Sequence, residues 1–178
     1  MSSGHVVSIF GSSRPLPGEK EYAVAEETGR ELAGAGFTIC NGGYGGIMEA
    51  SAHGARKAGG HTIGVVCSAF PDRKVNPWID EVIVEESLIN RLMRLMNLGD
   101  AYVVLKGGTG TLLELAAVWE FMNKHLMSEK PVVLVGDFWG GVVDTLKEDL
   151  EGMADATRYM TIAESPAQCA AIIRRNVA

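Results

Sequence analysis

The sequence predicts an α/β domain, a three-layer sandwich in which helices cover both faces of a mostly parallel sheet of about six or seven strands. Two observations predict it. Short apolar runs, several of them β-branched, alternate along the chain with longer segments whose apolar residues recur every three or four positions. Glycine-rich or polar loops follow three of the apolar runs and lead into helical patterns, as the carboxyl ends of parallel strands require.

The elements follow in order. Residues 5–10 read as a first strand, followed by Gly11-Ser12-Ser13-Arg14-Pro15. Residues 19–35 read as a helix closed by Gly34 and Gly36. A second strand over 37–40 ends in Asn41-Gly42-Gly43-Tyr44-Gly45-Gly46, and a helix of small residues covers 47–58. Residues 61–66 give a third strand. A polar, proline-bearing connection over 68–80 is the longest irregular stretch. A fourth strand covers 81–84, and Ser87 caps a helix running to about Leu98. The fifth strand is 101–105 and the sixth 131–135. A closing helix-strand-helix passage covers about 142–150, 159–162 and 166–175. No repeat, low-complexity run or linker divides the chain, so a single domain over 1–178 is expected.

Composition narrows the function. A net charge of −6 argues against broad nucleic-acid or anionic-membrane binding. No apolar run reaches the roughly 20 residues that span a bilayer, and no secretion signal is visible at the N-terminus. Cys40, Cys67 and Cys169 are an odd number at unrelated spacings, so free thiols in a reducing cytoplasm are the simpler expectation. The four histidines form no ligand-spaced cluster, and neither a metal nor another cofactor is called for.

The organising stretch is Val103-Val104-Leu105-Lys106-Gly107-Gly108-Thr109-Gly110-Thr111-Leu112-Leu113-Glu114. It reads as a buried strand, a side-chain-poor loop and the first turn of a long helix with an apolar face at Leu112, Leu115, Trp119, Met122 and Leu126. Unpaired N–H groups and the partial positive charge of a helix start make such a place suited to a phosphate. A capping box from Thr111 to Glu114 is the alternative, purely structural reading. The loop is neither a dinucleotide fingerprint, since Leu113 stands at the third glycine position, nor a Walker A loop. Loops 11–13, 41–46 and 106–111 converge at strand carboxyl ends, which favours ligand binding by Ser12 and Ser13 over simple turn closure.

On the helix after Ser87, Leu88, Ile89, Leu92, Met93, Leu95 and Met96 fill one arc, with Arg94 opposite. Arg91 falls at the border of that arc. Either its head snorkels into water or it reaches the shared carboxyl edge.

These residues carry a resemblance to the LOG ("Lonely Guy") family, often labelled "possible lysine decarboxylase", over nearly the full chain. The signposts are Gly11-Ser12-Ser13, Asn41-Gly42-Gly43 through Gly46-Ile47-Met48-Glu49, and Ala58-Gly59-Gly60 through Ile63-Gly64-Val65. The most specific is Arg91 upstream of Asp100-Ala101 and the run from Gly107 to Glu114, which resembles the family's Pro-Gly-Gly-x-Gly-Thr-x-x-Glu signature. The resemblance implies a Rossmann-like fold, a homodimer or higher homo-oligomer, and a small-molecule nucleotide ligand. It implies hydrolysis of a purine nucleoside 5′-monophosphate, N6-substituted adenine included, to free base and ribose 5-phosphate. Arg91 and Glu114 map to the catalytic pair. Gly11, Ser12, Ser13, Asn41, Gly42, Gly43, Lys106, Gly107, Gly108, Thr109, Gly110 and Thr111 map to substrate and phosphate binding. Lys106 replaces the signature proline, Leu92 a common lysine and Leu113 a common glutamate. Met48-Glu49-Ala50 resembles a branch with molybdenum-cofactor carriers and nucleotide sensors, which makes a non-catalytic carrier or sensor the alternative. A structural homo-oligomer with a vestigial pocket is the third expectation. Nothing sets up the lysine Schiff base that a pyridoxal decarboxylase needs.

Overall fold

The computed structural model describes residues 4–149 and 157–177. Its seven strands are β1 (Val6–Phe10), β2 (Thr38–Asn41), β3 (Thr62–Cys67), β4 (Glu81–Glu85), β5 (Ala101–Val104), β6 (Val132–Val135) and β7 (Met160–Ala163). They form one sheet in the order β4-β3-β2-β1-β5-β6-β7, and every neighbouring pair is parallel. The expected three-layer α/β fold is present.

Helices α1 (Lys20–Gly34), α2 (Ile47–Lys57) and α6 (Pro166–Val177) cover one face, over Val7, Ile9, Ile39, Val103 and Val133. Helices α3 (Leu88–Leu98), α4 (Thr109–Asn123) and α5 (Gly140–Asp149) cover the other, over Phe10, Cys40, Val65, Tyr102, Val104 and Leu134. Successive side chains of a strand point to opposite faces, so the central strands need apolar residues at every position. That is why β5 and β6 read as unbroken apolar runs, while the buried Ser8 of β1 donates its hydroxyl to the Leu95 carbonyl at 2.7 Å. Small residues let α2 press against α1: a Cβ on Gly54 would stand 1.8 Å from the carbonyl oxygen of Glu26.

Chain order reverses at β1. From there the chain builds outward to β4, then returns to place β5 on the other side of β1, with Val7 opposite Ala101 and Phe10 opposite Val104. The loops after β1 and β5 therefore leave adjacent strands in opposite directions, opening a crevice at their carboxyl ends.

Most expected boundaries shift by one or two residues, and three expectations change more. Helix α4 begins at Thr109 rather than Thr111, with Gly108 as an extended N-cap that makes no side-chain cap bond. Thr111 is thus inside the helix, and the capping box with Glu114 does not form. Leu126 lies beyond α4 and is exposed, and Leu112 is half-exposed. Leu88 and Ile89, expected in the packed arc of α3, are also exposed, while Leu92, Leu95 and Met96 are buried. Ser87 does cap α3, its side chain accepting from the Asn90 N–H at 3.1 Å. Residue 150, expected to end the helix over 142–150, lies outside the described residues.

Cys40, Cys67 and Cys169 are free and buried. Burial pushes the Cys40 and Cys169 thiols up to about 12, which leaves neither a nucleophile at neutral pH. Among the described residues no helix is long and apolar enough to cross a membrane.

Candidate functional site

The crevice at the β1/β5 reversal holds a cavity of about 880 Å³. Its floor is built by three loops stitched together through the backbone. Ser12 donates its N–H to the Lys106 carbonyl at 3.1 Å, and the Ser12 carbonyl accepts from the Ile47 N–H at 2.8 Å. The loop after β1, the glycine loop after β5 and the start of α2 therefore move as one.

Gly11, Ser12, Ser13, Lys106, Gly107, Gly108, Thr109, Gly110 and Thr111 all line the cavity. The first backbone bond of α4 runs from the Leu112 N–H to the Gly108 carbonyl at 2.9 Å. The amides of Thr109, Gly110 and Thr111 come before it, so this turn presents N–H groups and the positive end of the helix dipole. A Cβ on Gly108 would meet no atom within 4 Å, so this glycine leaves room on the cavity side and not within the protein. The arrangement suits an anion. The Ser12 hydroxyl accepts from the Arg14 N–H at 3.1 Å, which shapes the loop. Lys106 is not a free cation: its Nζ pairs with Glu21 at 2.9 Å and lies 5.7 Å from the Phe138 ring centre. That bond holds the Glu21 carboxyl below its ordinary range.

Asn41, Gly42 and Gly43 are placed differently from the expectation of ligand contact. They are buried and do not line the cavity. The Asn41 side chain donates to the Met48 carbonyl at 2.9 Å and the Ser51 hydroxyl at 3.1 Å, and accepts from the Gly43 N–H at 2.8 Å. It fixes the turn that enters α2. Gly42 serves Arg91, because a Cβ there would stand 1.7 Å from an Arg91 guanidinium nitrogen.

Arg91 is only 8% exposed, so its head does not snorkel into water. Its Nε donates to the Val65 carbonyl at 2.7 Å and Nη2 to the Gly42 carbonyl at 3.1 Å. The guanidinium also lies 5.6 Å from the Tyr44 ring centre. Nη1 faces Glu114 Oε1 at 4.0 Å, and both residues line the cavity. Desolvation pushes the Glu114 carboxyl up to about 7, against the opposing pull of Arg91. A carboxyl that burial has pushed up to about 7, held beside a fixed cation and on the same helix as a turn that suits an anion, is equipped for proton transfer and for stabilising positive charge.

Other cavity residues were not anticipated as ligand contacts: Arg14, Glu19, Met48, Phe70, Arg73 and Leu88. Phe70 and Arg73 come from the long connection between β3 and β4. The signal that could have flagged it is its position, since it too leaves a strand at its carboxyl end.

The comparisons with known proteins agree with this architecture. A cytokinin riboside 5′-monophosphate phosphoribohydrolase of Mycobacterium tuberculosis is 35% identical over 159 residues, 87% of this chain and 81% of that protein. The protein of the same name from Mycobacterium marinum is 32% identical over the same shares. Among solved structures, the molybdenum cofactor binding protein of the phototrophic bacterium Rippkaea orientalis superposes with a TM-score of 0.75 at 26% identity, covering 96% of each chain. The SLOG cluster4 family model matches residues 5–170, nearly the whole chain, and the protein belongs to that family.

Proposed function

We propose that the protein hydrolyses the N-glycosidic bond of a purine nucleoside 5′-monophosphate, releasing free base and ribose 5-phosphate. The observation that carries the reading is the Arg91–Glu114 pair at 4.0 Å, facing the same cavity as the glycine turn of α4. The 5′-phosphate binds the amides at the start of α4, which places the ribose toward the pair. As the bond from base nitrogen to C1′ breaks, its electrons pass to the base and positive charge grows on the ribose. The ionised Glu114 carboxylate stabilises that charge and accepts a proton from the water that adds to C1′, and that proton passes on to the departing base nitrogen, so one water is consumed and Glu114 ends ionised. Arg91, fixed by two carbonyls, holds the carboxylate in place and favours its ionised form. The phosphoribohydrolases among the relatives support this chemistry.

A carrier of a phosphorylated heterocycle is the second reading, favoured by the full-length likeness to a molybdenum cofactor binding protein. Of the Met48-Glu49 pair that resembles that branch, Met48 lines the cavity and Glu49 does not. Incubation with AMP and N6-substituted AMP, followed by chromatography, separates the two. Free base and ribose 5-phosphate in equal amounts is the expected result. Tight binding with both nucleotides recovered intact would make the protein a carrier.

A further inference from the structure

Charge around the cavity is unevenly paired. Lys106 bonds Glu21, Arg91 faces Glu114, and Glu19 accepts from the Leu16 N–H at 2.8 Å. Arg14 and Arg73 line the same cavity and form no ion pair among the described residues. The two arginines occupy different places in the fold. Arg14 follows β1, beside the glycine turn. Arg73 follows β3, which is three strand spacings from β5 in the sheet order, or about 14 Å.

Arg73 is also held in place. Its N–H donates to the Phe70 carbonyl at 3.1 Å, closing a tight turn. Its guanidinium lies 5.1 Å from the Phe70 ring centre and 5.5 Å from that of Tyr44. The Tyr44 ring is buried and anchored, its hydroxyl accepting from the Cys67 N–H at 2.9 Å. Tyr44 is the same ring that Arg91 approaches, so Arg73 stands near the Arg91–Glu114 pair. A guanidinium that stacks on rings keeps its planar fork of donors open for a carboxylate.

We propose, on the nucleotide reading given above, that the substrate carries an anionic group on its base, and that Arg73, set against Phe70 and Tyr44, is the residue that recognises it. The base end of the cavity then selects nucleoside monophosphates with a carboxylate on the N6 substituent over those with an apolar one. Phe70, Met48 and Leu88 contribute the apolar walls around the base.

Calorimetric titration with four probes tests this: AMP, N6-carboxymethyl-AMP, its uncharged carbamoylmethyl isostere and N6-isopentenyl-AMP. The carboxylate probe should bind at least about tenfold more tightly than the isostere. Arg73→Gln should erase that difference, and since Arg73 is exposed the variant should fold normally. Equal affinity for carboxylate and isostere, an isopentenyl probe that binds tightest, or a preference that survives Arg73→Gln would each overturn the proposal. No binding of any probe would overturn both this proposal and the nucleotide reading. A carboxylate preference without base release would uphold Arg73 and remove the hydrolase.

Discussion

Glu114→Gln should lower base release from a nucleoside 5′-monophosphate by about 10²–10⁴-fold while nucleotide affinity changes little. Glutamine fills the same volume and still faces Arg91, but it carries no negative charge to set against a ribose cation and accepts no proton from water. The variant should not lose stability, because Glu114 caps nothing: α4 starts at Thr109 with Gly108 as its N-cap. Stability should depend on pH in a definite direction. The folded-state carboxyl titrates near 7, above its ordinary value of 4.5, so between those values the folded chain holds a proton that the unfolded chain has released. The wild type therefore loses stability as pH rises through that window, to a total of about 3 kcal/mol. Glu114→Gln should escape this loss. Its melting temperature should match the wild type near pH 4.5 and exceed it above pH 7. Near-full turnover in this variant would take the carboxylate out of the mechanism.

Arg91→Ala should be the more damaging change, since it acts on both activity and stability. It removes the donors to the Val65 and Gly42 carbonyls, and each buried acceptor left unpaired costs roughly 1–3 kcal/mol. It also removes the attraction that counters desolvation of Glu114, so the carboxyl should move further up and be less ionised at neutral pH. We expect base release to fall by at least about 10³-fold and thermal stability to fall clearly. Arg91→Lys should not restore turnover, because a single nitrogen lacks the spread by which Nε, Nη2 and Nη1 separately reach Val65, Gly42 and Glu114. Nucleotide affinity measured well below the melting temperature separates the two losses. If Arg91→Lys turns over like the wild type, the fixed fork of donors is not what the site requires.

How much of this was legible in the sequence depended on the range of each interaction. The sheet and its helices were readable because short apolar runs and helical apolar patterns are local. The Ser87 cap was readable for the same reason. The start of α4 was placed two residues late because its first turn, Thr109-Gly110-Thr111, faces a cavity and has no apolar rhythm to mark it. Arg91 could be placed only at the border of a helix face. Its burial follows from Gly42 and Val65, 49 and 26 residues away, and from the missing side chain at Gly42. Asn41, Gly42 and Gly43 look like a ligand loop in sequence because the residues that build a tight turn are the same ones that approach ligands. Leu88 and Ile89 fit the apolar period of α3, yet the period says nothing about what lies opposite them. Arg73 had no periodic signal at all. It gains meaning only once the sheet order sets its loop across from the glycine turn.

The pH dependence of base release tests the central claim most directly, because it reads the ionisation of the group placed beside Arg91. If Glu114 acts as its carboxylate, kcat/KM should fall on the acid side with an apparent pKa near 7, the value to which burial pushes it. A profile that stays flat from pH 5 to 8, or an acid limb in the ordinary carboxylate range near 4.5, would contradict the account.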